Sequence, residues 1–243
     1  MRVRFRFAKT GKVRWTSHRD VARMWERAIR RADLPVAYTE GFSPRPKMAF
    51  GLALPTGYES VAEYLDIDFE PSDERPVDVD GLPALLTPAL PVGVEALAAA
   101  EIDRSGDSLQ HQVVSCEWDI IVSGCRAERL QEFVDTALAA SIITVTRERK
   151  GKPVTDDVRP ALVSLTVDAP VEPDRPDEGV RLIAELASQT RALRPSELLA
   201  AMSPELGERR VCRTHQWIER DGAQQDILPL PATDAPPAME RVS

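Results

Sequence analysis

Residues 2 to 7 alternate strictly: Val3, Phe5 and Phe7 fall on one side, Arg2, Arg4 and Arg6 on the other. This period-2 pattern predicts a half-buried strand. A turn through Lys9-Thr10-Gly11-Lys12 returns the chain into Val13-Arg14-Trp15, and the Phe5 and Trp15 rings are expected in the core. Ser17 and Asp20 then stand three apart, a variant capping box in which Ser17 caps a helix and the Asp20 carboxylate lies by the positive end of the helix dipole. Behind that cap Val21, Met24, Trp25, Ala28, Ile29 and Ala32 recur at helical spacing, with Arg19, Arg23, Arg27, Arg30 and Arg31 largely on the other side. Leu34-Pro35 ends the helix, because the residue before a proline is pushed out of the α region.

The pattern continues with strands over 48–54 and 63–69, a proline-limited helix over 79–90 and a strand over 92–99. In chain order this is β-α-β-β-α-β, the ferredoxin-like sequence of elements. The remainder repeats it loosely. A strand over 112–122 is followed by a helix over 126–140 with Leu130, Phe133, Val134, Ala137 and Leu138 on one stripe, then by a strand over 142–149. Strands near 159–168 and 179–187, a short helix capped by Ser196 and a strand over 210–218 complete it. The expected fold is therefore α+β: two ferredoxin-like (βαββαβ) halves in tandem, 1–101 and 111–220, with a polar linker at 102–110. From 221 to 243 the chain is rich in Pro, Ala and Gln with few large apolar residues, the composition of a disordered tail.

Charge sharpens the picture at one end. The first 47 residues hold thirteen Lys or Arg against four Asp or Glu, whereas the rest of the chain holds eighteen against thirty-five. A basic segment on an acidic chain points to an anionic partner, and an RNA backbone is the natural one. The candidate contacts are Arg2, Arg4, Arg6, Arg19, Arg23, Arg27, Arg30, Arg31, Arg45 and Lys47, since the planar guanidinium fork can make two parallel bonds to phosphate oxygens. His18, between Ser17 and Asp20, suits either a general base or a capping-region histidine bonded to backbone. The segment 41–57 is stiffened by Pro44, Pro46 and Pro55 and turned by Gly41, Gly51 and Gly57. If residues 39–47 fold back, Ser17, His18 and Asp20 face Phe42 and Arg45 across one pocket.

Other chemistries find less support. Neither the phosphate-loop nor the dinucleotide glycine pattern occurs. Three dispersed cysteines and three dispersed histidines supply no disulfide framework or metal ligand set, so no metal and no cofactor is expected. No segment approaches the ~20 apolar residues of a membrane span, and charge interrupts the N-terminal run where a secretory signal needs apolar residues. A cytoplasmic protein without membrane contact is expected.

The runs Lys9-Thr10-Gly11-Lys12-Val13-Arg14, Ser17-His18-Arg19-Asp20, Arg27 to Tyr38 and Gly41-Phe42-Ser43-Pro44-Arg45-Pro46, continued by Leu54 to Ser60 and Glu63-Tyr64-Leu65-Asp66, resemble the bacterial family of radical-SAM-linked proteins, the DUF2344 domain. Arg19 stands where that family usually has an apolar residue. The resemblance implies association with a radical SAM protein, fused or encoded nearby, often close to ribonuclease E/G and ribosomal protein genes. The Cys-x-x-x-Cys-x-x-Cys cluster motif is absent here, so a radical SAM partner is expected as a separate chain. Three functions follow as expectations: a non-catalytic RNA-binding or substrate-presenting partner in tRNA or rRNA modification, a stand-alone RNA-processing or RNA-modifying enzyme using His18, or a module docking an acidic protein surface.

Overall fold

The computed structural model describes residues 1–103, 108–149, 151–170, 179–189 and 192–228. It is a mixed α+β chain that divides into two compact units, Met1–Gln112 with Asp226–Ser243, and Val113–Gln225. No helix among the described residues is long and apolar enough to cross a membrane.

In the first unit the strand β1 (Arg2–Lys9) lies between β3 (Glu59–Asp68) and β4 (Val94–Ile102), antiparallel to both. The short β2 (Met48–Phe50) also pairs with β3, from Met48 opposite Ile67 to Phe50 opposite Leu65. The alternation in β1 sends Val3, Phe5 and Phe7 to one face, where Leu65 and Ile67 join them in a buried cluster. Onto that face packs the helix α1 (His18–Arg31), burying Val21, Trp25, Ala28 and Ile29. The Trp25 ring lies 5.6 Å from Phe5 and 5.2 Å from Phe7, centroid to centroid. Each such fully buried large side chain contributes about 1.5–3 kcal/mol through its apolar area. The buried Trp25 indole N–H has no hydrogen-bond partner among the described residues, which offsets part of that gain.

Both ends of α1 are set by local chemistry. Ser17 Oγ accepts from the Asp20 amide at 3.2 Å and donates to the Asp20 carboxylate at 2.7 Å. At the other end the chain turns one residue earlier than Leu34-Pro35 predicts. Asp33 adopts a left-handed φ of 49°, and the Leu34 amide reaches back to the Ile29 carbonyl, a closing bond that satisfies an orphan helical carbonyl.

In the second unit β5 (Val113–Ser123) lies between β10 (Gly207–Arg220) and β9 (Val180–Ala187), and β8 (Leu162–Pro170) pairs with the far side of β9. Ile120, Val122, Leu182, Ala184 and Val211 are buried, as are Leu130, Val134 and Ala137 of α4 (Ala127–Ala139) and Leu198 and Leu199 of α5 (Pro195–Met202). Strands β6 (Thr144–Arg149) and β7 (Lys152–Asp157) form a separate antiparallel hairpin.

Several elements differ from the sequence expectation. Val13-Arg14-Trp15 is part of a 3-10 turn, Gly11–Trp15, and Trp15 is 65% exposed rather than in the core. The helix expected over 79–90 contracts to α2 (Leu82–Leu86) and a 3-10 turn, Thr87–Ala89. Pro88 lacks the amide needed to continue it. Part of the expected linker is the helix α3 (Leu109–Gln112), whose Leu109 is buried. Residues 104–107 of that linker lie outside the described residues. The cap of α5 is Arg194, whose amide donates to the Glu197 carboxylate, and Ser196 lies inside the helix. The expected tail begins in order: Ala223–Asp226 form β11 on β10. Its portion from residue 229 onward is outside the described residues.

Candidate nucleic-acid interface

The arginines of β1 are committed to carboxylates. The antiparallel register sets Arg2 opposite Asp68 and Arg4 opposite Asp66, so each guanidinium meets a carboxylate on the neighbouring strand. Arg2 Nε donates to Asp68 at 2.7 Å, and Arg4 makes two bonds to Asp66 at 2.7 and 2.8 Å. Arg6 Nη1 donates to Asp226 at 2.8 Å and its Nε to the Val61 carbonyl at 3.0 Å. Arg4 and Arg6 are 5% and 3% exposed. Of the expected RNA contacts, these two present no charge at the surface, because β3 and the segment at Asp226 supply their counter-ions. Arg2, the third of the row, is partly exposed and paired. Arg14 is similarly drawn to Glu59 at 3.6 Å.

The arginines of α1 behave differently. Arg19, Arg23, Arg27, Arg30 and Arg31 lie off its buried stripe, and Arg23 and Arg30 keep 61% and 59% of their side chains exposed. From Arg19 to Arg23 to Arg27 the spacing is four residues, a rise of about 6 Å per step along one side of the helix. Arg23 lies 3.5 Å from Asp20, and Arg30 lies 3.5 Å from Glu26, exposed pairs of small energy. Arg31 donates to the Ala89 carbonyl. Arg19 and Arg27 have no carboxylate partner among the described residues. The side chain of Arg19 stands outside the packed face, so a polar residue there costs no apolar packing.

The loop after α1 closes on itself as a small hairpin. The Thr39 amide donates to the Arg45 carbonyl at 2.8 Å, the Lys47 amide to the Ala37 carbonyl at 2.8 Å, and Tyr38 bridges to Pro46. Gly41, with φ of 123°, makes the turn at the tip, a conformation that side chains with a Cβ rarely adopt. Phe42 is fully exposed there, and Arg45 and Lys47 are exposed on the returning arm.

His18 lines a recess elsewhere. Its ring stands edge-on to Phe50 at 4.9 Å, and Phe7, Lys9, Val21, Leu54 and Glu63 complete a small depression that opens to solvent. Lys9 is buried and donates to the Thr16 and Arg14 carbonyls at 3.0 and 3.3 Å. Burial pushes its pKa below the ordinary lysine value, and Glu63 opposes that shift. The recess and the loop are offset along β3. Glu63 is paired opposite Phe7, whereas Asp68, whose amide donates to the Lys47 carbonyl, is opposite Arg2. Five residues of strand separate them, about 17 Å. The structure does not bring the expected pocket together: His18 stands against Phe50, whereas Phe42 is fully exposed at the hairpin tip. The loop residues that would have folded back are spent on pairing Tyr38 with Pro46.

Some contributors to these sites carry no signal in the sequence pattern. Lys9 reads as a turn residue and Glu63 as an ordinary strand position. Their shared end of the sheet follows only from the β1/β3 register. Asp226 falls in the segment expected to be a disordered tail, and no local signal ties it to Arg6.

These features define an α+β protein with an outward row of arginines on the first helix of its N-terminal unit. The family model described as an uncharacterized protein conserved in bacteria, DUF2344, matches residues 2–195. The chain belongs to that family. No curated protein matches it.

Proposed function

We propose that this protein is an RNA-binding or substrate-presenting accessory partner of a separate radical SAM enzyme, working in the cytoplasm on tRNA or rRNA. The observation that carries the RNA part is the outward row Arg19, Arg23, Arg27 and Arg30 on α1. Its guanidiniums project from a rigid helix held by the Trp25 core, where phosphate oxygens can be met without reorganising the fold. The radical SAM part rests on the resemblance of the motifs between Lys9 and Asp66 alone. The test is isolation of the native protein from its host with RNA and protein both identified. Bound RNA together with a radical SAM protein supports the proposal. An acidic protein without RNA would assign the arginine row to protein docking instead.

The same reading takes each unit as a ferredoxin-like half. Its support is that the β1 and β5 strands each lie between the last and third strands of a β-α-β-β-α-β series, with β6 and β7 as an inserted hairpin in the second.

The recess favours a second reading, in which the chain acts on RNA itself. His18, Glu63 and the buried Lys9 supply a base, an acid and an amine at one depression. RNA turnover by the purified chain alone, abolished by His18→Ala, would establish it.

A further inference from the structure

We infer that the protein selects single-stranded RNA by stacking unpaired bases on two exposed aromatic rings, Trp15 and Phe42, which flank the arginine helix; this rests on the RNA-binding reading above. Large aromatic side chains belong in cores or against partners, and their exposure is informative when it is built rather than incidental. Both exposures here are built. Phe42 is fully exposed at the tip of a hairpin whose arms are fixed by the Thr39–Arg45 and Ala37–Lys47 backbone bonds. Trp15 is 65% exposed in the 3-10 turn immediately before α1. One side of its indole lies against Gly57: a Cβ at that position would stand 2.9 Å from the ring, and the φ of 93° there also favours glycine. The Gly57 amide bonds to the Arg14 carbonyl at 2.8 Å, and the Arg14 guanidinium lies 5.3 Å from the indole centroid. The ring is thereby held in place with much of its surface open.

The charge around each ring identifies the occupant. Arg45 and Lys47 follow Phe42 on the returning arm, Arg14 accompanies Trp15, and Arg19, Arg23 and Arg27 run along the helix between them. Tyr38 and Glu40 are also exposed on the hairpin, but the charge exposed along the returning arm and the helix is predominantly cationic, which an apolar protein partner would leave unmatched. Aromatic platforms spaced along a basic track are what single-stranded nucleic acid requires: cations take the phosphates, and each ring takes a base face irrespective of sequence. A duplex offers the same phosphates but keeps its base faces stacked on one another, so the rings gain nothing from it.

The experiment compares binding of a fluorescein-labelled single-stranded RNA, about 12 nucleotides long to match the usual span of such tracks, with that of the corresponding duplex, using the full chain and its Phe42→Ala, Trp15→Ala and Phe42→Tyr variants. Single-strand affinity is expected to fall about 5- to 150-fold on loss of a stacking ring, with duplex affinity unchanged and Phe42→Tyr close to wild type. Binding of the single strand should also quench tryptophan fluorescence in the parent protein and not in Trp15→Ala. Phe42 has no packing role, so its variants fold irrespective of the outcome. If the parent chain binds both RNAs equally and both alanine variants retain single-strand affinity, stacking is overturned while RNA binding stands. If the parent binds neither RNA, the underlying reading fails with it. A co-purifying protein lost on Phe42→Ala, with RNA affinity intact, would assign the tip to protein and overturn the inference.

Discussion

Arg4 and Asp66 meet side-on across β1 and β3, joined by two hydrogen bonds of 2.7 and 2.8 Å with both side chains buried. This relationship explains why charge counted along the chain overstates charge at the surface. The basic N-terminal strand is laid beside an acidic one, and the excess that remains outward is concentrated on α1 and the Arg45–Lys47 arm. The pair also gives a stability test. Asp66→Asn leaves a buried guanidinium without its counter-ion and should cost about 3–5 kcal/mol. Urea unfolding would check this, and a loss below ~1 kcal/mol would mean that Arg4 finds water or another acceptor.

The α1 row should govern affinity without governing folding. Arg23, Arg27 and Arg30 lie off the buried stripe of Val21, Trp25, Ala28 and Ile29, and Glu matches Arg closely in helix propensity. Replacing the three by Glu should weaken RNA binding strongly. It should also lower the magnitude of the log–log salt slope by about 2, at roughly 0.7 for each phosphate of a single strand that is no longer neutralised. Circular dichroism should be unchanged. Unaltered RNA affinity in a folded triple variant would sink the proposed interface.

Acid sensitivity should arise in part from Glu117 in the second unit. Its carboxylate bonds to His215 Nδ1 at 3.0 Å and accepts from Thr214 at 2.9 Å, while the His215 ring stacks on Trp217. The His215 bond is the main cause that holds the Glu117 pKa below its ordinary value of 4.5. A carboxylate depressed in the folded state contributes stability that is present above 4.5 and lost as pH falls through the folded pKa. Thermal melts of Glu117→Gln against the parent should therefore differ least at the acid end, with the parent losing more stability as pH falls below 4.5. Parallel acid limbs would show that the bond does not discriminate folded from unfolded chain.

The contrast between α1 and the recess shows what the sequence can carry. The alternation of Val3, Phe5 and Phe7 and the stripe through Trp25 are periodic, so each strand or helix announces its buried face. The Ser17 cap is legible for the same reason: it is a relation between residues three apart. Relations set by register are not legible. Nothing near Arg4 reveals that Asp66 will lie opposite, and nothing near His18 reveals Glu63. The expected His18–Phe42 pocket fails on topology, because sequence proximity places the two runs in one half but does not bring them together there. Trp15 departs from its expected core position because a large aromatic ring reads as core unless its 3-10 turn is known.

A last prediction concerns Asp226, which ties the start of the chain to its far end. One oxygen accepts from Arg6 at 2.8 Å and the other from the Tyr64 hydroxyl at 2.8 Å. Burial pushes the Tyr64 hydroxyl well above its ordinary pKa, so it stays a neutral donor. Asp226→Ala removes the counter-ion of a buried guanidinium and should cost about 3–5 kcal/mol, even though Arg6 keeps its bonds to the Val61 and Leu228 carbonyls. Tyr64→Phe removes one neutral donor and should cost about 1–3 kcal/mol, including the carboxylate oxygen left short of a partner. In the double variant the Tyr64 contribution should largely disappear, because its acceptor is already gone, giving a coupling of about 0.5–3 kcal/mol in a double-mutant cycle. Additive losses in urea unfolding would mean that Asp226 and Tyr64 act independently and that the clasp rests on Arg6 alone.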